Sequence, residues 1–281
     1  MVTRHGYPLP DTVRALRACL ALLAVSSGLY LAPVSALAKP CDGPDDVSWV
    51  TGAKECLVIR TFRSTGDLSH PTLVVVLHGD VSSGGPANYH FALAQKLVDA
   101  PDAQNLVAVA MVRPGYPDGA SNTSTGDTFD RHDHYTPENI DAVADAIRHL
   151  KEHYQASHVV LVGHSGGAAT SAVILGRHPG LAAAAVLVSC PCIISTWRAR
   201  RSPWLRSESP HEWVKKVPET SRIVALTGTD DTNTQPALAE EYVELLHKRG
   251  IDARFIAVPG ASHHSAFRSA QVEEAVVSLL R

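Results

Sequence analysis

The sequence lacks a marked excess of either charge. Its 281 residues include 25 Lys and Arg against 28 Asp and Glu, which gives a formal net charge of −3. Nucleic acids and anionic membrane surfaces attract strongly basic proteins, so this balance argues against both as partners. The sequence also lacks internal repeats and heptads, and beyond its N-terminal segment it has no apolar run long enough to span a bilayer.

The longest apolar stretch lies at the N-terminus. Arginines precede an apolar segment at residues 18–31, and Ala-Leu-Ala at 36–38 follows it. The segment is too short for a membrane span and ends in small residues, which is typical of a secretory signal peptide. We therefore predict that residues 1–38 are cleaved and that the protein is exported, periplasmic or secreted, without a membrane anchor. Residues 39–281 suffice for one α/β domain and are too few for two sizeable ones.

Cysteines are scarce, with five in the chain. Cys19 falls in the predicted signal peptide, so four remain for an oxidising compartment. We predict that Cys41 pairs with Cys56 across a short loop and that Cys190 pairs with Cys192. A Cys-Pro-Cys bridge is geometrically demanding, so two free thiols at a strand end are the alternative for the second pair.

Apolar runs alternate with helix-like segments along the rest of the chain. Strands are predicted at residues 57–62, 72–77, 106–112, 158–162, 181–189, 223–227 and 253–258, and helices at 86–100, 136–155, 165–177, 236–249 and 268–280. Residues 39–55 are predicted to form a loop, and residues 190–220 an insertion with a short helix near 211–216. This alternation predicts an α/β fold with a mostly parallel sheet, helices on both faces and functional groups at the carboxyl ends of the strands.

A tight strand-to-helix turn is predicted at Gly163–Gly167, which reads Gly-His-Ser-Gly-Gly. A β-branched apolar run precedes it and small residues follow it, the context that a G-x-S-x-G nucleophile elbow requires. In so tight a turn the serine takes a strained backbone conformation, and side chains at the outer glycines would collide with the crossing backbone. We therefore predict that Ser165 is a nucleophile, with His164 in the pocket wall and unable to reach it.

A serine nucleophile requires a histidine base and an acid that orients the histidine. Later strand ends supply both in the order Ser, Asp, His. Asp230 and Asp231 follow one predicted strand, and His263 and His264 follow the next. Each doublet leaves the assignment open by one residue.

This arrangement resembles the α/β-hydrolase family over essentially the whole mature length. In that family the acid is commonly the third residue after a strand-end glycine, and the histidine lies in a Gly-x-x-His turn. The matching segments are Gly228-Thr229-Asp230-Asp231-Thr232 and Gly260-Ala261-Ser262-His263. The resemblance implies that Asp231 is the acid and His263 the base. Asp230 and His264 are the alternatives, and otherwise they are a solvated turn residue and a packing residue.

An oxyanion hole needs two backbone N–H groups aimed at the developing charge. Gly166 follows the nucleophile at a helix start, where the helix dipole also favours negative charge. The second donor is expected from the loop after His78-Gly79, most simply Asp80, where His-Gly-Gly members of the family have a glycine. An acidic side chain there must point away or be paired, and Arg113 is a candidate partner. Alternatively, Asp80 caps its own loop.

Two polar segments, 113–135 and 190–220, overhang the strand ends and are expected to set specificity. The second carries Trp197, Trp204 and Trp213 among several arginines. This composition suits an aryl or acidic acyl group, and the alternative is a solvated cap anchored by tryptophan packing.

Together these residues predict a serine hydrolase that cleaves small or medium carboxylic esters through an acyl-enzyme intermediate. Arg113-Pro114-Gly115-Tyr116 resembles a loop of the family's aminopeptidase-like members, so a peptidase or amidase acting on short peptides is the alternative. The prolyl-oligopeptidase type, however, carries a large N-terminal domain for which the mature chain has no room. An inactive binding protein of the same fold is a further alternative. No cofactor or metal is expected, since His132-Asp133-His134 has no further ligands at a metal-site spacing.

Overall fold

The computed structural model describes residues 43–101 and 103–280. The predicted signal peptide lies outside this part of the chain. The strands are β1 (Trp49–Gly52), β2 (Glu55–Arg63), β3 (Thr72–Leu77), β4 (Leu106–Met111), β5 (His158–His164), β6 (Ala184–Val188), β7 (Arg222–Gly228) and β8 (Asp252–Val258). The helices are α1 (Phe91–Asp99), α2 (Pro137–His153), α3 (Gly166–Arg177), α4 (Ile194–Trp197), α5 (Pro210–Trp213), α6 (Pro236–His247), α7 (His263–Ala266) and α8 (Ala270–Leu279).

The strands form one eight-stranded sheet in the order β1-β2-β4-β3-β5-β6-β7-β8. β2 pairs antiparallel with both β1 and β4, and every other neighbouring pair is parallel. The prediction of a mostly parallel α/β sheet is confirmed. Because β3, β4, β5, β6, β7 and β8 all run the same way, their carboxyl ends share one edge of the sheet.

The course of β3 explains why its apolar run is continuous. Leu73, Val75 and Leu77 contact a buried cluster that contains side chains of α2, α3 and α6. Val74 and Val76 contact a second cluster, which α1 and α8 complete. Helices therefore cover both faces of the sheet, and every side chain in the strand interior must be apolar.

Two predictions for the N-terminal half are wrong in detail. Residues 39–55 were expected as a loop, but Trp49–Gly52 pairs with β2 through a turn in which Ala53 has a φ of 52°. The first helix begins at Phe91 rather than at residue 86, because the segment before it is held by other contacts. Ala87 N–H donates to the carbonyl of Pro117, and the buried His90 ring bonds to the carbonyl of Met111.

The C-terminal half also differs in detail from the prediction. β6 is shorter than the predicted strand 181–189, and the insertion contains α4 in addition to the short helix α5. The separate helix α7 was not predicted. It forms because the Ser262 and Ser265 side chains cap each other's backbone N–H groups.

The structure contains the Cys190–Cys192 disulfide just beyond β6, with Cα atoms 5.0 Å apart. Cys56 is also disulfide-bonded, while its predicted partner Cys41 lies outside the described residues. Within the described ranges, no helix combines the length and apolar character needed to cross a membrane.

Candidate active site

Ser165 occupies the turn between β5 and α3. Its φ of 51° and ψ of −117° place it in a strained region of backbone space, and its N–H donates to the carbonyl of Val188 at 2.8 Å. A Cβ on Gly163 would lie 2.4 Å from the carbonyl oxygen of Gly167, and a Cβ on Gly167 would lie 2.4 Å from that of Leu77. Both outer glycines are thus sterically required, and the turn presents Ser165 to a pocket at the carboxyl edge of the sheet.

His263 and Asp231 form a hydrogen-bonded pair beside this turn. His263 Nδ1 lies 2.9 Å from Asp231 Oδ2, and the Asp231 side chain is fully buried. Burial opposes ionisation of Asp231, but hydrogen bonds from His263 and Thr234 outweigh it and lower its pKa to about 2. An ionised Asp231 fixes the proton of His263 on Nδ1, which leaves Nε2 able to accept a proton.

The neighbouring members of the two doublets lie elsewhere. Asp230 is exposed, and its carboxylate accepts a hydrogen bond from the hydroxyl of Thr229. His264 is exposed at the pocket edge and does not contact either aspartate through a hydrogen bond. The structure therefore brings together Asp231 and His263, the pair that the family resemblance implied, and not their neighbours.

Ser165 and His263 line the same pocket without a hydrogen bond between their side chains. Nε2 of His263 instead lies 3.5 Å from the side-chain amide of Asn233, a neighbour that the sequence did not indicate. In resting enzymes this serine–histidine contact is often long, and it tightens when substrate binds.

The predicted oxyanion donors are the backbone N–H groups of Gly166 and Asp80. Neither donates a hydrogen bond to another residue in the described part of the chain. The N–H of Gly79, by contrast, is occupied by the Tyr89 hydroxyl at 2.5 Å. Gly79 and Asp80 line the pocket beside Ser165, so the loop after β3 supplies a free donor at Asp80.

The Asp80 carboxylate contacts side chains from two other loops and does not cap its own loop. Oδ1 lies 2.5 Å from Arg113 Nη2, and Oδ2 accepts a hydrogen bond from the Tyr135 hydroxyl at 2.7 Å. Burial disfavours the charge of Arg113, yet Asp80 reverses this effect and raises the arginine's pKa. The negative charge of Asp80 is thereby balanced next to the predicted oxyanion donors. Arg113 was a candidate partner from the sequence, whereas Tyr135 was not identified.

A chain of hydrogen bonds connects the loop after β3, here called the oxyanion loop after its predicted role, with the turn that carries His263. Gly79 N–H donates to the Tyr89 hydroxyl, which donates to Nδ1 of His164 at 2.6 Å. Nε2 of His164 in turn donates to the carbonyl of His263 at 3.0 Å. This direction requires a neutral His164, and burial together with the nearby His263 lowers the pKa of His164 to about 3. His164 lies in the pocket wall and braces both loops.

The pocket encloses about 400 Å³ between the strand ends and the insertion. Trp197 and Trp204 line it, with ring centroids 5.0 Å apart. Trp213 does not line it and instead packs against Gly176 in α3. Two of the insertion's three tryptophans therefore line the pocket, and the third packs the insertion against α3.

The His132-Asp133-His134 segment does not gather into a ligand set. The Asp133 carboxylate accepts hydrogen bonds from the backbone N–H groups of residues 205–207. The buried His134 ring is hydrogen-bonded to the carbonyl of Pro114. Among the residues that the structure describes, no three His, Cys, Asp or Glu side chains are grouped to hold a metal ion.

The sequence model of the alpha/beta hydrolase family matches residues 74–216, about half of the chain. No curated protein matches the chain in sequence. The matched segment contains the loop after β3, the serine turn and most of the insertion.

Several solved structures share the fold at low sequence identity. Est1E from Butyrivibrio proteoclasticus, with ferulic acid bound, superimposes with a TM-score of 0.63 at 13% identity over 82% of this chain and 98% of its own. The thermophilic esterase Est2 from Thermogutta terrifontis, with propionate bound, gives 0.59 at 17% identity over 84% and 95%. The acylaminoacyl peptidase of Pyrococcus horikoshii gives 0.63 at 13% identity over 82% of this chain but only 39% of its own.

Proposed function

Because the chain belongs to the alpha/beta hydrolase family, we propose that it is a serine hydrolase that cleaves carboxylic esters. The observation that carries the proposal is the hydrogen bond from His263 to Asp231, in the pocket that the strained Ser165 also lines. Nucleophile, base and orienting acid are the three parts that acyl transfer through serine needs. An inactive binding protein would have no need to keep all three, or the backbone strain at Ser165.

The first half of the reaction forms an acyl-enzyme. Ser165 Oγ attacks the ester carbonyl while His263 Nε2 takes its proton, and Asp231 stabilises the imidazolium. The oxygen of the tetrahedral intermediate is held by the free N–H groups of Gly166 and Asp80. His263 then gives the proton to the departing alcohol. In the second half, water attacks the acyl group while His263 Nε2 takes its proton. The bond to Ser165 Oγ then breaks, His263 returns the proton to Oγ, and the acid is released.

Two of the structural neighbours support esters as the substrate class. The esterases Est1E and Est2 are matched over 98% and 95% of their lengths. The acylaminoacyl peptidase is matched over 39% of its length. A small ester also suits the pocket of about 400 Å³ that Ser165 lines.

Turnover of p-nitrophenyl esters, compared with aminoacyl-p-nitroanilides, tests this function. Ester turnover that exceeds anilide turnover and disappears in Ser165→Ala supports it, whereas faster anilide turnover would make the protein a peptidase or amidase. Turnover of neither substrate by folded protein would favour the binding-protein alternative.

Export is part of the proposal and rests on the N-terminal sequence. The Cys190–Cys192 disulfide supports it, since such bonds persist in oxidising compartments. Expression of the full chain followed by mass measurement of the exported product tests it. A mature N-terminus at Lys39 is expected, and uncleaved protein retained in the cytoplasm would contradict it.

A further inference from the structure

Four arginines line the pocket that holds Ser165: Arg131, Arg198, Arg201 and Arg268. In the described part of the chain, none of them pairs with a carboxylate. The one carboxylate in the same wall is Asp80, and Arg113 already neutralises it. The pocket thus carries an uncompensated positive charge.

Arg198 and Arg201 of the insertion are held by hydrogen bonds that use only some of their N–H donors. Arg198 Nε donates to the carbonyl of Ser202 at 2.9 Å, and its guanidinium lies 5.2 and 5.0 Å from the ring centroids of Trp197 and Trp204. Arg201 donates to Asn233 Oδ1 at 3.0 Å. Each guanidinium has five N–H donors, so most remain available to a ligand.

The two insertion arginines also repel each other. Partial burial, and then the positive charge of Arg201, lower the pKa of Arg198. An anion between them would relieve this repulsion and occupy the free donors. The part of the pocket wall that Arg198 and Arg201 form therefore favours a negatively charged group over a neutral one.

We propose that the natural substrate is an ester that carries a carboxylate, which Arg198 and Arg201 bind with support from Arg268. The proposal rests on the hydrolase function proposed above and specifies its substrate class. A carboxylate suits the wall because planar guanidinium groups bind it in a fork, and the indole faces beside them suit an apolar body. The carboxylate lies on either the acyl or the alcohol side of the ester.

Matched pairs of charged and neutral esters test the proposal and show whether the carboxylate lies on the acyl or the alcohol side. Mono-4-nitrophenyl adipate and its methyl ester place or mask the charge on the acyl side. 4-Acetoxyphenylacetate and its methyl ester do so on the alcohol side. For one pair, kcat/KM of the charged member is expected to exceed that of the neutral member by about tenfold, because each of two ion pairs at a partly exposed site contributes about threefold and the two factors multiply. This preference should shrink in 1 M NaCl.

Arginine variants show whether the preference comes from this wall. In the double variant Arg198→Gln/Arg201→Gln, the ratio of charged to neutral kcat/KM should fall by about tenfold, since both guanidinium groups that bind the carboxylate are lost. Arg200→Gln is the matched control, because Arg200 is exposed on the same insertion but does not line the pocket. Its ratio should equal that of the wild type.

Binding to Ser165→Ala separates this inference from the hydrolase function. Calorimetry should show 4-hydroxyphenylacetate binding at least about tenfold more tightly than its methyl ester, or monomethyl adipate more tightly than dimethyl adipate, with the difference lost in the arginine double variant. Turnover of neutral esters without a charge preference in either pair would overturn the carboxylate proposal and leave the hydrolase function intact. Selective carboxylate binding without turnover of any ester would contradict the hydrolase function instead.

Discussion

The Asp80 carboxylate lies 2.5 Å from the Arg113 guanidinium, directly against the backbone of Gly166. A Cβ at Gly166 would come within 2.5 Å of Asp80 Oδ1 and 2.6 Å of Arg113 Nη1. The ion pair therefore packs against the residue after the nucleophile. It joins the loop after β3 to the segment after β4 and holds both beside the serine turn.

Arg113→Gln should destabilise the protein strongly. Arg113 is almost completely buried, so removing its charge leaves Asp80 uncompensated, and such a change typically costs about 3–5 kcal/mol. The free energy of unfolding in urea measures the loss. Arg148→Gln is the control, because Arg148 pairs with Asp145 at the surface and exposed pairs contribute about 0–1 kcal/mol. Similar losses in the two variants would contradict a special role for the buried pair.

Tyr89→Phe should disturb the link between the oxyanion loop and the histidine turn. The variant leaves Gly79 N–H and His164 Nδ1 without their partner, at a cost of about 1–3 kcal/mol. Displacement of these loops should lower kcat by roughly tenfold to 10²-fold. Steady-state kinetics on a p-nitrophenyl ester measures the fall.

Tyr242→Phe is the matched control for that loss. The Tyr242 hydroxyl is buried without a hydrogen-bond partner in the described residues, so its removal should leave both kcat and stability near the wild-type values. If Tyr89→Phe behaved in the same way, the chain through His164 would have no positioning role.

The choice between Asp230 and Asp231 is open to direct measurement. Asp231→Asn should lower kcat by about 10⁴-fold, because the amide no longer holds the histidine in the required tautomer. Asp230→Asn should change kcat less than about threefold, since an exposed turn residue contributes little. A larger loss from Asp230→Asn than from Asp231→Asn would reverse the assignment.

Asp231 should also make stability depend on acid pH. Its pKa is lowered from the ordinary 3.8 to about 2 in the folded protein, so its contribution is fully present above pH 4. The contribution is lost as the pH falls from about 4 towards 2, because the unfolded state binds the proton more readily. Urea unfolding between pH 5 and pH 2 should show a shallower decline in Asp231→Asn than in the wild type. Identical slopes would show that Asp231 has no lowered pKa.

The parts of the site that follow strand ends could be predicted from the sequence. Continuous apolar runs identify strands buried on both faces, and the serine turn has a steric requirement for glycine that is visible in the residues themselves. The histidine and acid turns follow from the same topology. At these strand ends the local residue pattern and the geometry of a parallel sheet predict the same arrangement, so the sequence is sufficient to place the turns of the site.

The side chains that brace the site could not be predicted. Tyr89, Tyr135 and Asn233 come from loops without periodicity, and only the tertiary path of those loops brings them to their partners His164, Asp80 and His263. The strand β1 was missed because its neighbourhood is rich in Asp, Gly and Pro, although its pairing with β2 overrides that composition.

Covalent labelling of Ser165 by a fluorophosphonate tests the central claim most directly. One label per molecule is expected on Ser165 of the purified full chain, with none on Ser165→Ala and strongly reduced labelling in His263→Ala, because the hydroxyl needs its base. Circular dichroism of each variant controls for folding. Folded wild-type protein that takes up no label, or takes it up equally in Ser165→Ala, would contradict Ser165 as the nucleophile.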